Sequence, residues 1–309
     1  MEIYRSLAEI GNHLPGPSAV ALGYFDGIHL GHQKVLCSTA AFASIMTPCV
    51  FTFGHLPKKG AMILSPQAKY NALEKIGFQA VVSLDFAEVR GLSPLAFIHD
   101  VLIGAMGARV VCCGNNFSFG KDAAGNVELL IEQCDKAGVS VLTAGQVTYS
   151  EQRISSTAIR AAISQGEMER VRRMMGRPYS IDFEVIHGRQ LGRTLDFPTI
   201  NQAYPAGYCV PAFGVYATAA LVDGVYLPAV TNVGVKPTVG SDRVLAETYI
   251  VGCQQQLYGE HIQVYFLRHL RGEIKFENLD ALKEQIAKDT ASAKTISEQY
   301  IQKDIFQPF

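Results

Sequence analysis

Residues 18–32 read Ser18-Ala19-Val20-Ala21-Leu22-Gly23-Tyr24-Phe25-Asp26-Gly27-Ile28-His29-Leu30-Gly31-His32. The run SAVALGY (18–24) has the length and apolar continuity of a buried strand. Beyond His32, the residues Val35, Leu36, Phe42 and Ile45 recur at helical spacing and predict one apolar helix face. The stretch therefore predicts a strand, a glycine-rich turn and a helix start. A helix start offers free N–H groups and the positive end of a dipole, which attract phosphate. Gly27 and Gly31 let the backbone approach a ligand closely. His29 and His32 can donate hydrogen bonds to phosphate oxygens without a fixed charge, which suits stabilisation of charge that builds at a phosphorus. Taken alone, HxGH recurs by chance, and two satisfied histidines are as good a reading; the strand-before, helix-after context favours the phosphate site. A zinc site needs further ligands at sensible spacing, and none is near.

Outward from this stretch the pattern repeats. Residues 48–53, 79–84, 109–113 and 139–143 predict further buried strands. Helices are predicted from Ser65-Pro66 and Ser93-Pro94, each with serine as N-cap and proline at the first helical position, and over 127–137. Apolar strands alternating with helices indicate an α/β, Rossmann-like parallel sheet, whose ligands bind beyond the carboxyl ends of its strands. Near Gly176, after a basic helix from Glu167 to Met175, the character changes. Asp223-Gly224 separates VYATAALV from VYLPAV and predicts a tight hairpin. Strands at 244–251 and 261–267 follow, then a helix from Asn278 with Leu279, Leu282 and Ile286 on one stripe. The second half is expected to be a small antiparallel β-barrel closed by that helix. The expected domains are 1–176 and 177–309.

Composition bounds the partners. The 309 residues carry 27 Lys plus Arg against 28 Asp plus Glu, so no broad cationic surface exists for nucleic acid. No apolar run approaches ~18 residues, so no membrane span is expected. The seven cysteines are scattered and form no CxxC pair, which predicts free thiols in a reducing cytoplasm.

Three further segments carry candidate chemistry. Arg153-Ile154-Ser155-Ser156-Thr157-Ala158-Ile159-Arg160 places hydroxyls and arginines at a helix start, a second anion site or a plain capped helix. Gly114-Asn115-Asn116-Phe117-Ser118-Phe119-Gly120 follows a strand, where Asn116 can bond a base or ribose. His187 to Asn201 is a loop in which Gly188 and Gly192 permit a phosphate cradle and Arg193 neutralises charge. Thr199 and Asn201 fall on one face of an extended segment, and two neutral oxygens there suit Mg²⁺.

Together these segments resemble the bacterial bifunctional riboflavin kinase/FAD synthetase family. The resemblance rests on GYFDGIHLGH (23–32), GNNFSFG (114–120) and SSTAIR (155–160), and continues through HGRQLGRTLDFPTIN (187–201), GVYAT (214–218), TNVGVKPT (231–238), ETYI (247–250) and LYGEHIQVYFLRHLRGEIKF (257–276). It departs at Phe53-Gly54-His55-Leu56-Pro57, where the family has Phe-x-Pro-His-Pro. It departs again at Asp196, in place of a usual glycine, and at Asp182-Phe183. The resemblance implies a first domain that adenylylates FMN to FAD and a second that phosphorylates riboflavin to FMN, both from ATP with Mg²⁺. It implies catalytic roles for His29, His32 and Glu247, and Thr199 and Asn201 as metal ligands. Nucleotide contacts are implied for Gly23, Phe25, Asp26, Gly27, Asn116, Arg153, Ser155, Ser156, Thr157, Arg160, Gly188, Gly192, Arg193 and Thr194. Flavin contacts are implied for Asn232, Arg271, Glu273 and Phe276, although Arg271 and Glu273 can equally be an exposed pair. Small-molecule substrates, no nucleic acid, no membrane, a cytoplasmic location and a monomer or weak homo-oligomer are expected. Two rivals stand beside this reading: a kinase that has lost adenylylation, and a flavin-binding protein without turnover.

Overall fold

A computed structural model describes residues 1–11, 14, 16–54, 60–188, 197–238 and 241–306. The chain divides into two compact units. The first comprises Met1–Gly60 and Pro66–Ser155; the second comprises Ala61–Ser65 and the chain from Ser156.

The first unit is built on six strands: β1 (Glu2–Tyr4), β2 (Ser18–Leu22), β3 (Thr47–Phe53), β4 (Ala80–Leu84), β5 (Ala108–Gly114) and β6 (Ser140–Ala144). All pairings are parallel, in the order β1-β4-β3-β2-β5-β6. β2 and β4 are buried along their whole length, which explains why they read as unbroken apolar runs. The first strand and the short helix α1 (Leu7–Ile10) are not predicted by apolar periodicity, because three or four residues are too few to show one.

From β2 the chain proceeds to β3 and β4 on one side, and β5 and β6 lie on the other. The strand order thus reverses between β2 and β5, and the crevice outside their carboxyl ends is the expected ligand position. The turns that leave those two ends are the ones containing Gly23–His29 and Asn115–Gly120.

Helix α2 (Leu30–Ala40) buries Val35 and Leu36. The expected stripe does not extend further: the helix ends at Ala40, and Ile45, beyond it, is 68% exposed. Helix α3 (Pro66–Ile76) begins at the predicted proline. Two short helices follow, α4 (Phe86–Val89) and α5 (Pro94–Ala96). The second of these is the start predicted at Ser93-Pro94, with the Ser93 hydroxyl accepting from the Ala96 N–H. Helix α6 (Val127–Lys136) stands within the predicted span 127–137. A short β7–β8 ribbon (Thr148–Tyr149, Gln152–Arg153) ends the unit.

After its short first segment, the second unit continues with α7 (Ser156–Ser164) and α8 (Met168–Met175). Seven antiparallel strands follow: β9 (Tyr179–Ile181), β10 (Val185–Ile186), β11 (Thr199–Ala203), β12 (Gly214–Val222), β13 (Val225–Thr238), β14 (Ser241–Ile250) and β15 (Gln263–Arg271). Their order is β10-β11-β14-β13-β12-β15-β9.

Asp223 and Gly224 join β12 to β13 with φ of +49° and +78°, the left-handed pair that a two-residue hairpin requires. A long helix (Leu279–Gln302), capped by the Asn278 side chain, packs on β12, β13 and β15. Its inward residues are Asp289, Ala293, Ser297 and Tyr300, whereas Leu279, expected on the apolar stripe, is 59% exposed. Thr218, Thr231 and Thr248 form a buried hydroxyl ladder across three strands, at 2.8 Å per step.

Candidate active sites

In the first unit the turn after β2 is shaped by its own side chains. Phe25 and Ile28 adopt φ of +55° and +39°, and Gly27 adopts +84°. A left-handed non-glycine residue costs ~1–2 kcal/mol. Burying a phenylalanine ring returns ~1.5–3 kcal/mol, and Phe25 is only 1% exposed, so burial offsets the strain. The ring lies against Gly23: a Cβ there would fall 2.8 Å from Phe25 Cζ. Gly23 therefore makes room for Phe25, and this packing sets the path of the turn.

The turn delivers His29 to the N-cap of α2. His29 Nδ1 accepts the His32 N–H at 3.2 Å, so a neutral His29 carries its proton on Nε2 and can donate from there. The two imidazoles stack with centroids 3.6 Å apart. The Phe25 ring meets His32 edge-on at 5.4 Å. A Cβ on Gly31 would lie 3.1 Å from His29 Cε1, so a glycine here clears the His29 ring. Asp26 is buried within the same turn, 4% exposed.

Asn116 is exposed in the turn after β5, so the two predicted segments leave neighbouring strands at the switch point. Arg153 is exposed on β8, and Ser155 closes the first unit. Ser156 and Thr157 open α7 in the second unit, where Arg160 Nε donates to the Ala61 carbonyl.

One residue here is hidden from sequence reading. Lys69 on α3 is buried, 5% exposed, and its Nζ donates to the Phe53 carbonyl at 3.0 Å. In sequence it sits among polar helix residues and gives no sign of burial.

In the second unit the sheet register aligns three predicted residues. Glu247 on β14 lies directly opposite Asn201 on β11 and Asn232 on β13. Directly opposed residues share a face of the sheet, so the carboxylate has an amide on each side. Thr199, two residues before Asn201, shares its face. Asn201 is 6% exposed, and a Cβ on Gly188 would run into its amide, so Gly188 brings bare backbone onto a proposed metal ligand. A Cβ on Gly234 would likewise collide with the Glu273 carboxylate and lie 3.9 Å from Asn232 Nδ2, which brings those two flavin candidates near each other.

A cavity of about 370 Å³ adjoins this region. Val185, Ile250 and Leu257 form its apolar wall, and Thr199, Thr248 and Tyr258 are among its polar lining. Tyr258 stacks on His187 at 3.9 Å. Its volume is that of a small-molecule site, and Gln254, Gln255 and Gln256 add to its polar lining.

Arg271 is not an exposed partner of Glu273. Its guanidinium makes a two-pronged bond to Asp289 on the long helix, 3.0 Å from Nε and 2.8 Å from Nη2 to Oδ2, and Gln285 donates to the same carboxylate. Phe276 lies 5.8 Å from that guanidinium. Asp289 escapes a sequence reading because a single acid in a polar helix reads as a solvated face. Gly192, Arg193, Thr194 and Asp196, with His55, Leu56 and Pro57, lie outside the described residues.

Comparison with known proteins bears directly on these two sites. The FAD synthetase family profile matches residues 12–158, and the riboflavin kinase profile matches residues 175–297. A bifunctional riboflavin kinase/FMN adenylyltransferase of Bacillus subtilis is 35% identical, over 89% of this chain and 91% of its own length. The chain belongs to the bifunctional riboflavin kinase/FMN adenylyltransferase family. The Haemophilus influenzae relative of the same name is 32% identical over 95% of the chain and 98% of its own.

A solved structure named as a macrolide-efflux protein from Streptococcus pneumoniae superposes with a TM-score of 0.82 at 29% identity, covering 97% of this chain and 98% of that one. Efflux is said of that protein alone; among the described residues here no helix is long and apolar enough to cross a membrane. With both catalytic domains of the family present, the chain is a two-activity enzyme of flavin cofactor biosynthesis, a kinase joined to a nucleotidyltransferase.

Proposed function

We propose that the second unit transfers the γ-phosphoryl group of ATP to the terminal ribityl hydroxyl of riboflavin, and that the first joins the resulting FMN to AMP. In the kinase step Glu247 accepts the hydroxyl proton as the oxygen attacks. Asn232 and Glu273 orient the flavin. Phe276 flanks the flavin, and Arg271 sets that edge through Asp289. Gly188, with Gly192, Arg193 and Thr194, holds the triphosphate. Thr199 and Asn201 present neutral oxygens from adjacent same-face positions, a donor set that fits a hard divalent cation. They would hold Mg²⁺, which when bound neutralises phosphate charge. The cavity lined by Thr199 and Tyr258 is of a size to receive the nucleotide.

In the adenylyl step an FMN phosphate oxygen attacks the α-phosphorus of ATP and pyrophosphate leaves. His29 donates from Nε2 and His32 donates beside it to the oxygens where charge develops. Gly23, Phe25, Asp26 and Gly27 shape the turn around the phosphates. Asn116 contacts the nucleoside, while Arg153 and Ser155 contact the triphosphate. No covalent intermediate is needed; alignment of two substrates and charge stabilisation suffice.

The observation that carries the reading is the family match over both halves, joined to a histidine-capped helix start at the sheet's switch point. A cytoplasmic location is part of the proposal. The seven scattered cysteines, with no CxxC pair, support it. The test is incubation with riboflavin, ATP and Mg²⁺ followed by separation of the flavins. The reading expects FMN followed by FAD, with ADP and pyrophosphate released. FMN without FAD would leave a kinase alone, and flavin binding without either product would leave a binding protein.

A further inference from the structure

The roles above leave Lys69, a buried cation of the first unit, unassigned. Lys69 touches the phosphate turn from the side of the sheet. Its Nζ donates to the Phe53 carbonyl at 3.0 Å and reaches Thr52 Oγ1 at 3.5 Å, both at the carboxyl end of β3. It stands 5.1 Å from the centre of the Tyr24 ring. Thr52 Oγ1 in turn donates to the Tyr24 carbonyl at 3.0 Å. The charge acting on Lys69 is that of Asp26, itself buried. A buried ammonium or carboxylate is unfavourable unless an opposite charge or hydrogen bonds compensate it. At this position on α3 a leucine would fill the space without that demand.

We propose that Lys69 is a positioning residue for adenylyl transfer: its ammonium ties the Tyr24–Asp26 turn to the end of β3 and balances Asp26, which holds the His29 helix start in place. The inference rests on the assignment of that turn to the adenylyl step. Burial brings the Lys69 ammonium down to about 8, with Asp26 pulling the other way. Its charge is therefore lost within an accessible pH range. Around it, the turn contributes Asp26 and the Tyr24 ring, β3 contributes the Thr52 hydroxyl and the Phe53 carbonyl, and α2, which packs on α3, carries His32 and Lys34. On its own helix the Tyr70 hydroxyl bonds Ser83 at 2.8 Å.

The experiment measures FAD formation from FMN, ATP and Mg²⁺ by the full chain between about pH 6.5 and 9.5, in wild type, Lys69→Arg and Lys69→Met. FMN formation from riboflavin in the same preparations reports the second unit, and thermal unfolding of each preparation, followed by circular dichroism, reports that the first unit is folded. In wild type, turnover should fall by up to about tenfold per pH unit above about 8. Lys69→Arg keeps a permanent charge and should lose that fall. Lys69→Met should lower kcat by about 100-fold at neutral pH, the scale of a ~1 Å displacement, with a smaller change in the KM for ATP.

The inference is overturned if Lys69→Met stays within about threefold of wild type. It is also overturned if the alkaline fall is absent from wild type or persists in Lys69→Arg, or if both variants lose FAD formation equally. His29→Ala, run in parallel, separates the two claims. Full FAD formation there removes the assignment of the turn. Loss there with an unaffected Lys69→Met removes only the role of Lys69.

Discussion

Gly23→Ala isolates the packing that shapes the adenylyl turn. The added Cβ would lie 2.8, 2.9 and 3.2 Å from three atoms of the Phe25 ring. Carbon atoms prefer ~3.5–4.0 Å, so the ring must retreat by roughly 0.7–1.2 Å. It has nowhere easy to go: Phe25 is 1% exposed, sits at φ +55°, and abuts His32, which stacks on His29. Overpacking of this kind costs ~1–3 kcal/mol. At ~2–4 °C per kcal/mol for a domain of this size, melting of the first unit should fall by roughly 2–12 °C.

The catalytic effect should be the larger one. A displacement of ~1 Å transmitted to the imidazoles predicts about a 100-fold loss of FAD formation. The assay is steady-state FAD synthesis from FMN and ATP at a temperature well below melting, with FMN synthesis from riboflavin as the reference. Gly54→Ala is the matched control, since its nearest atom, Ser83 Oγ, is 3.9 Å away. That variant should retain activity within about twofold. If Gly23→Ala folds normally and makes FAD within about threefold of wild type, the idea that Phe25 packing positions the histidines is wrong.

Other substitutions probe the remaining assignments. His29→Ala combined with His32→Ala should abolish FAD formation and leave FMN formation near normal; equal loss of both products, measured on separated flavins, would contradict independent sites. Glu247→Gln should lower kinase turnover by about 100-fold or more, the scale for removing a general base, and unchanged ADP release would reject that role. Asp289→Ala leaves the Arg271 guanidinium without its carboxylate on the long helix and should cost about 3 kcal/mol in denaturant unfolding. A cost under ~0.5 kcal/mol would class the pair with exposed ones. Lys69 adds a stability prediction of definite sign. Its folded value of about 8 lies below the ordinary 10.5, so between these pH values the unfolded chain holds a proton that the folded one does not. The burial penalty is full below pH 8 and vanishes by pH 10.5, so stability relative to Lys69→Met should rise across that window by up to ~3 kcal/mol, and a flat difference would contradict it.

What the sequence reveals and what it hides follow from how each feature is built. The parallel sheet is legible because strands such as Ala80–Leu84 are buried on both faces and read as apolar runs. The adenylyl turn is legible because its determinants are local: Gly23 clears Phe25, Gly31 clears His29, and the His29 ring accepts the His32 N–H, all within ten residues. The apolar stripe past α2 misleads because Phe42 and Ile45 keep helical spacing after the backbone has left the helix at Ala40.

Lys69 and Asp289 fail to show for a different reason. Each occupies a helix position where solvated lysines and acids are ordinary, and each becomes exceptional through a partner remote in the chain: Asp26 and Phe53 for one, Arg271 for the other. A charge can be buried only where a partner compensates it. Such a site is therefore a property of a pair, and no scan of single residues or local spacing detects it. Removing one member should thus do more harm than removing both. For Arg271 and Asp289, a doubly substituted chain with methionine and leucine should be more stable than Asp289→Ala alone, and a double substitution less stable than that single would mean the two residues do not act as a pair.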